Sequence, residues 1–200
     1  MAPSSESPWP LIGRDEELAR LREVVLPGDD DRRRVVVVSG DTGIGKTRLV
    51  LQVVARTASE FADGVWIADF GELSDPDHVD RVVASVFGLG DESGRTAREV
   101  LIGYLRSRRV LIVLDNCEHL LEAVDQLIIV LRKEARGVRI VVTSQELLRH
   151  PDEHVFRLAP LALPAGTDVA SARAAGAVTL FVARAQAAEP RFALTEANAR

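Results

Sequence analysis

Lys46, Thr47 and Asp115 carry the first chemical signal in this 200-residue chain. Lys46 and Thr47 close the run Gly40-Asp-Thr-Gly-Ile-Gly-Lys46-Thr47, which fits G-x-x-x-x-G-K-[ST] at every fixed position. The chemistry of that pattern is phosphate binding. Gly40, Gly43 and Gly45 let successive backbone N–H groups turn inward around an anion, with Asp41, Thr42 and Ile44 between them. The helix that follows the loop, with Arg48 among the candidate binding residues, would aim its partly positive N-terminus at the same place. Lys46 can then reach β- and γ-phosphates, and the Thr47 hydroxyl can ligate Mg²⁺. A glycine-rich turn that binds nothing is the plainer reading, but the flanking pattern argues against it. Lys46 also has few look-alikes, since Lys133 is the only other lysine.

Asp115 ends the apolar run Val110-Leu-Ile-Val-Leu-Asp115. A strand here would carry the carboxylate to the sheet edge where the glycine loop sits. There it can hold Mg²⁺ directly or through water, as a Walker B aspartate does, or else cap the following helix.

The elements that must position these groups follow from periodicity. Val35–Val38 are four β-branched residues without polar alternation, the pattern of a parallel strand buried on both faces. Leu49, Val50, Val53 and Val54 then share one helical face. Further strands are expected at Val65–Phe70, Val110–Leu114, Arg139–Thr143 and His154–Leu158. Between them lie helices led by Leu18, Leu21 and Val25, by Val79, Val82, Val83 and Val86, and by Val100, Leu101 and Leu105. Another carries Leu120, Leu121, Val124, Leu127, Ile128 and Leu131. Asp75-Pro76 reads as a helix start, and Thr96-x-x-Glu99 as a capping box. Strands alternating with amphipathic helices predict an α/β fold with a parallel sheet covered on both faces. The expected divisions are a flexible lead-in over 1–10, a nucleotide-binding domain over 11–158, a linker over 159–176 and a helical lid region beginning at 177. Asp29–Arg34 reads as a solvated charged loop, and Ala177–Ala187 as an amphipathic helix.

Composition narrows the setting. A hydrophobic fraction of 46% suits a globular protein, and no apolar run approaches the length of a membrane span. Met1–Pro10 lacks the apolar core of a signal peptide, and the lone Cys117 allows no internal disulfide. The expected location is the cytoplasm. A net charge of −5 gives no general reason to expect nucleic-acid binding by this segment.

Beyond these elements, the chain resembles the nucleotide-binding domain of bacterial STAND-class regulatory ATPases, relatives of NB-ARC and AAA+ proteins. Such domains occur in LuxR-type and SARP-type transcriptional activators. The likeness lies in Leu11-Ile-Gly-Arg14, the glycine loop and Leu114-Asp-Asn-Cys-Glu-His-Leu120. It continues in Val141-Val-Thr-Ser144 and Leu180-Phe-Val-Ala-Arg-Ala185. The resemblance implies a P-loop NTPase three-layer sandwich, with a central parallel five-stranded sheet between helices. It implies that Gly13 and Arg14 line an adenine pocket and that Thr143 and Ser144 form a polar sensor beside the γ-phosphate. From the residues alone, Gly13 could be a simple turn, Arg14 a solvated first-turn residue, and Thr143-Ser144 a strand cap. Family members continue into a small helical lid, a winged helix and effector or repeat modules.

Two positions depart from the pattern of fast hydrolases in this class. Asn116 stands where an acid would orient the attacking water, leaving Glu118 as the nearest acid and the candidate catalytic carboxylate. Gln145 stands where an arginine often reaches the γ-phosphate, and a neutral amide supplies no charge. Both changes predict slow hydrolysis. Cys117, Glu118 and His119 lack a second cluster at metal-ligand spacing, as do His78, His150 and His154. Arg106, Arg108 and Arg109 read as a solvated helix end rather than a phosphate or RNA patch. The reading these observations favour is an ATP/ADP-dependent switch module, using Mg²⁺, that acts through self-association or attached regulatory domains. The rivals are a P-loop enzyme such as a small-molecule kinase, for which no acceptor site is recognisable, and a domain that holds nucleotide without turnover.

Overall fold

A computed structural model describes residues 11–28, 34–90, 93–148, 151–166, 168–196 and 198. The expected lead-in over 1–10, most of the charged loop after Gly28, and His150 lie outside the described residues. The chain alternates α1 (Asp15–Val25), β1 (Val35–Ser39), α2 (Lys46–Thr57), β2 (Val65–Asp69), α3 (Val79–Val86), α4 (Ala97–Leu105) and β3 (Leu111–Asp115). It continues with α5 (Leu121–Glu134), β4 (Arg139–Ser144), β5 (His154–Arg157), α6 (Val169–Ala174) and α7 (Gly176–Ala188). All sheet pairings are parallel, and the strand order is β2-β3-β4-β1-β5. This is the expected α/β sandwich with five strands.

The valine run explains why both faces must be covered. Side chains alternate along a strand, so Val35 and Val37 enter one core, with Ile112, Leu114, Ile140 and Val142 from β3 and β4. Helices α3, α4 and α5 close that side through Val83, Leu101, Leu127 and Ile128. Val36 and Val38 enter the other, with Leu111, Val113 and Val141, under Leu21 of α1 and Leu49 and Val53 of α2. Fully burying one such side chain contributes about 1.5–3 kcal/mol. The predicted capping box is present: the Thr96 hydroxyl accepts from the Glu99 N–H, and the Glu99 carboxylate accepts from the Thr96 N–H.

Several local expectations change. Asp75 does cap, accepting from Asp77 N–H, but it opens a 3₁₀ turn over Pro76–His78 before α3 begins. Arg34 is buried rather than solvated, because its guanidinium donates to the carbonyls of Arg132, Ala135 and Val138. It ties the start of β1 to the connection before β4. The segment read as a linker contains α6, capped by Asp168 on Ser171 N–H, with Ala172 and Ala175 buried. Helix α7 is not amphipathic in the sense expected. None of its residues is fully buried, and Phe181 is 60% exposed.

Candidate nucleotide site

The loop between β1 and α2 takes the shape that its glycines permit, all three at positive φ, and at Gly40 space constrains the residue as well. Gly43 and Gly45 are required by the backbone, with φ +77° and +98°, a left-handed conformation that side-chain-bearing residues rarely adopt. A Cβ at Gly43 would meet no atom within 4 Å, so space does not demand glycine there. At Gly40, where φ is +156°, space is a further constraint. A Cβ there would lie 2.6 Å from the Leu158 carbonyl oxygen and would also strike Ile44 Cδ1. The end of β5 is thus pressed against the loop. Asp41, Thr42 and Gly43 form its exposed crest, while Ile44 is half-buried against the α1–α2 side of the sheet. Lys46 folds back over the loop, donating from Nζ to the carbonyls of Gly40 (2.8 Å) and Asp41 (2.9 Å). These two carbonyls hold the ammonium against the loop.

Strand order brings the second half together. Strand β4 lies between β1 and β3, so Thr143 and Ser144 end between the glycine loop and Asp115. Thr47 Oγ1 donates to Asp115 Oδ1 over 2.8 Å, and Thr143 Oγ1 donates to the same oxygen. Thr143 also accepts from the Asn116 N–H at 3.0 Å. Asp115 is only 5% exposed and Thr143 is fully buried. A buried carboxylate served by two hydroxyls, with no cationic side chain among its described partners, is an all-oxygen donor set suited to Mg²⁺. Ser144, also fully buried, accepts from Glu146 N–H through its hydroxyl and serves the turn after β4.

The two amides singled out in the sequence each hold a carboxylate. Gln145 Nε2 donates to Glu118 Oε1 at 3.1 Å, while Glu118 Oε2 is buried without a hydrogen-bond partner among the described residues. Asn116 Nδ2 donates to Asp69 Oδ1 at 2.9 Å. Asp69 escaped the sequence reading, although Val65–Asp69 is the same apolar-strand-then-carboxylate pattern as Leu111–Asp115. The two aspartates are register partners in adjacent strands. Between these groups Cys117 is fully buried, and burial pushes its thiol well above the usual range, helped by the charges of Asp115, Glu118 and Asp69. It stays a protonated core thiol. Among the described residues no group of three or more His, Cys, Asp and Glu side chains could hold a metal ion.

Gly13 and Arg14 border a separate cleft of about 460 Å³, shared with Glu17, Pro160, Leu161 and Ala162. Arg14 is not a solvated first-turn residue. It is 4% exposed, paired to Glu17 Oε1 at 2.7 Å, and near the Ile44 carbonyl at 3.4 Å. Gly13 packs against the start of α7, where a Cβ would lie 3.1 Å from Gly176 Cα. On α2, burial lowers the Arg48 pKa, and the nearby charge of Arg184 in α7 lowers it further. Helix α7 therefore starts beside Gly13 and brings the charge of Arg184 near α2.

Glycine loop, strand-end aspartate and an all-parallel sheet with β4 between β1 and β3 define a P-loop ATPase fold. The chain belongs to the AAA ATPase domain family, whose model matches residues 10–143. It is 34% identical over 184 residues to an uncharacterized protein of Mycobacterium tuberculosis, covering 92% of this chain and 43% of that one. It is also 34% identical over 168 residues to a candidate HTH-type transcriptional regulator of the same organism, covering 84% of this chain and 18% of the regulator. The chain thus spans less than half the length of either relative. Among solved structures it is similar to a Signal Transduction ATPase with Numerous Domains (STAND) protein with a tetratricopeptide repeat sensor from Pyrococcus horikoshii. That match has a TM-score of 0.51 at 16% identity and covers 94% of this chain and 27% of the other. These matches bear out the resemblance to regulatory ATPases drawn from the motifs. Among the described residues no helix is long and apolar enough to cross a membrane.

Proposed function

We propose that this chain is an ATP/ADP-binding switch module of a signalling or transcriptional regulator, with Mg²⁺-dependent binding and slow hydrolysis. The observation that carries the reading is the contact of Thr47 with Asp115, which joins the glycine loop to the strand-end carboxylate. Thr47 and Asp115 would hold Mg²⁺, which when bound neutralises β- and γ-phosphate charge. Backbone N–H groups of the loop from Asp41 through Gly43 to Arg48 would cradle the phosphates. Lys46 would leave the carbonyls of Gly40 and Asp41 for the β- and γ-phosphates, and Gly13 and Arg14 would border the base. Thr143 would register the γ-phosphate through the oxygen it shares with Thr47. Slow turnover follows from Gln145, a neutral amide where charge would stabilise the transition state, and from an amide rather than an acid at 116.

The switch role is supported by the kinship with longer regulators and by the approach of α7 to α2 and Gly13. Nucleotide state would be read by that approach and passed to attached domains or to a second copy, with no direct contact to nucleic acid or membrane by this segment. Mass spectrometry of nucleotide released from purified, heat-denatured protein tests the binding, with ADP or ATP as the expected species. Titration with ATP and ADP, with and without Mg²⁺, supplies the affinities. A protein that releases no nucleotide and binds neither in titration defeats the proposal.

A further inference from the structure

Because the strands are all parallel, their first residues gather at the pole of the sheet opposite the glycine loop. A cleft of about 410 Å³ opens there, bordered by the connections that lead into β1, β2, β3 and β4. Its charge is one-sided. Arg34, Arg109, Arg136 and Arg139 line it with, among the described residues, one carboxylate, Glu60, although the whole chain carries a net charge of −5. Phe61, 5% exposed, adds an apolar stretch of wall.

The fold sets these guanidiniums in place. Arg34 and Arg139 are each only 7% exposed. Arg34 donates to the carbonyls of Ala135 and Val138, and so clasps the turn that presents Arg136. Arg139 Nη2 donates to the Gly28 carbonyl at 2.8 Å and fixes the chain after α1. Gly137 lets the Arg136 turn press on the chain before β3, since a Cβ there would strike the Arg108 carbonyl oxygen. Asp63 pins that same chain. Its carboxylate accepts from the Arg109 N–H at 2.7 Å, and its own N–H donates to the Arg109 carbonyl at 3.1 Å. Arg109 and Arg136 therefore line the cleft as exposed side chains, and no carboxylate among the described residues pairs with either. Arg109 also differs from the two arginines grouped with it as a solvated helix end. Arg106 pairs with Glu134 at 3.0 Å, and the Arg108 guanidinium lies over the Tyr104 ring.

We propose that this cleft is a second anion site, which takes a compact ligand bearing two or more phosphate groups. A guanidinium is planar, forked and always charged, and it pairs with phosphate oxygens through two parallel N–H···O bonds. Arg109 and Arg136 approach from two different connections, with Arg34 and Arg139 behind them already oriented by backbone carbonyls. That arrangement offers forks to more than one phosphoryl group. The acidic balance of the whole chain disfavours a long polyanion running on beyond the cleft, so a small ligand fits better than nucleic acid. The site is distinct from the glycine loop, since the five residues of β1 hold the two about 16 Å apart. It stands independently of the ATP-binding reading.

The test is calorimetric titration of the full chain with inorganic pyrophosphate in Mg²⁺-free buffer, beside a thermal melt. Pyrophosphate can also enter the glycine loop, so the titration is run both in wild type and in a Lys46→Ala background. Binding should persist in that background, and the melting temperature should rise with pyrophosphate concentration. Adding Arg109→Ala and Arg136→Ala should weaken it by at least about tenfold, the scale of a lost charge-assisted hydrogen bond. Both side chains are exposed, so the melt of the ligand-free protein should not shift. Arg109→Lys with Arg136→Lys keeps the charge without the fork, and should recover only part of the affinity. Full recovery by lysine overturns the proposal, because unspecific charge then suffices. Pyrophosphate binding that disappears with Lys46→Ala belongs to the glycine loop and also overturns it. So does unchanged affinity in the folded Arg109→Ala, Arg136→Ala protein. A DNA duplex that binds through these arginines where pyrophosphate does not overturns the choice of a small ligand, and the proposal with it.

Discussion

Thr47 Oγ1 and Asp115 Oδ1 meet at 2.8 Å across 68 residues of sequence. The hydroxyl comes from the first turn of α2 and the carboxylate from the last residue of β3. Asp115→Asn keeps the shape and removes the charge. It should abolish most of the Mg²⁺-dependent gain in ATP affinity and leave the Mg²⁺-independent part nearly intact. Titration in Mg²⁺ and in EDTA measures both. A wild-type Mg²⁺ dependence in this variant would return Asp115 to a helix-capping role.

Among the described residues the Lys46 ammonium donates to two loop carbonyls and to nothing in the core, so replacing it should spare the fold. Lys46→Ala should weaken ATP binding by at least about tenfold, given that a charge-assisted hydrogen bond contributes about 1.5–3 kcal/mol. Calorimetric titration gives the affinity, and an unshifted melting temperature gives the control. Unchanged affinity in the folded variant would remove the phosphate assignment.

Gln145 and Glu118 are hydrogen-bonded, which alters what an arginine at 145 can do. Arginine charge placed at a γ-phosphate can be worth about 10³–10⁵ in rate. Gln145→Arg alone should gain only part of this, because its guanidinium would pair with Glu118. Adding Glu118→Gln should free the guanidinium and raise single-turnover hydrolysis further. A double variant no faster than wild type would show that position 145 does not face the phosphate.

Glu99 offers a pH-dependent readout away from the site. The Thr96 N–H and then the Thr96 hydroxyl hold its carboxyl below its ordinary value. A folded-state pKa below the unfolded value means the contribution is present above the unfolded pKa. It fades as pH falls through the folded value. The difference in melting temperature between wild type and Glu99→Gln should be visible at neutral pH and vanish in acid below both values. A difference that grows on acidification would reverse the assignment.

Leu49 is fully buried on the α2 face that seals one side of the sheet. Leu49→Ala should destabilise the domain by about 2–5 kcal/mol, read as a lower denaturant midpoint. A loss under about 1 kcal/mol, small against that range, would mean that the α2 interface repacks freely.

Much of the scaffold was legible because its signals are local. The valines at 35–38 can only be satisfied by apolar cover on both faces. The left-handed turns at Gly43 and Gly45, Thr96 with Glu99, and the helical stripes all act within a few residues. Gly40 and Arg34 were misread because their partners come from afar, Arg14 and α6 although theirs lie within three residues. Gly40 looks like one more flexible loop residue until Leu158, at the end of β5, closes over it. Arg34 and Arg14 look like solvated charges until the carbonyls of the α5–β4 connection and the Glu17 carboxylate enclose them. Helix α6 was hidden in an Ala, Pro and Gly-rich stretch, and its Asp168–Ser171 cap went unread.

The sequence by itself determined that a glycine loop of the phosphate-binding pattern follows a buried parallel strand, and that a carboxylate ends another. Motif spacing and side-chain periodicity suffice for that, since backbone conformation and burial pattern are written within each segment. Only the tertiary structure decided that β4 inserts between β1 and β3. Strand order depends on long-range pairing, which no single segment encodes. That insertion sets Thr143 between Thr47 and Asp115, and the β2–β3 register sets Asp69 beside Asp115. There Asn116 Nδ2 donates to Asp69 Oδ1 across 47 residues of sequence.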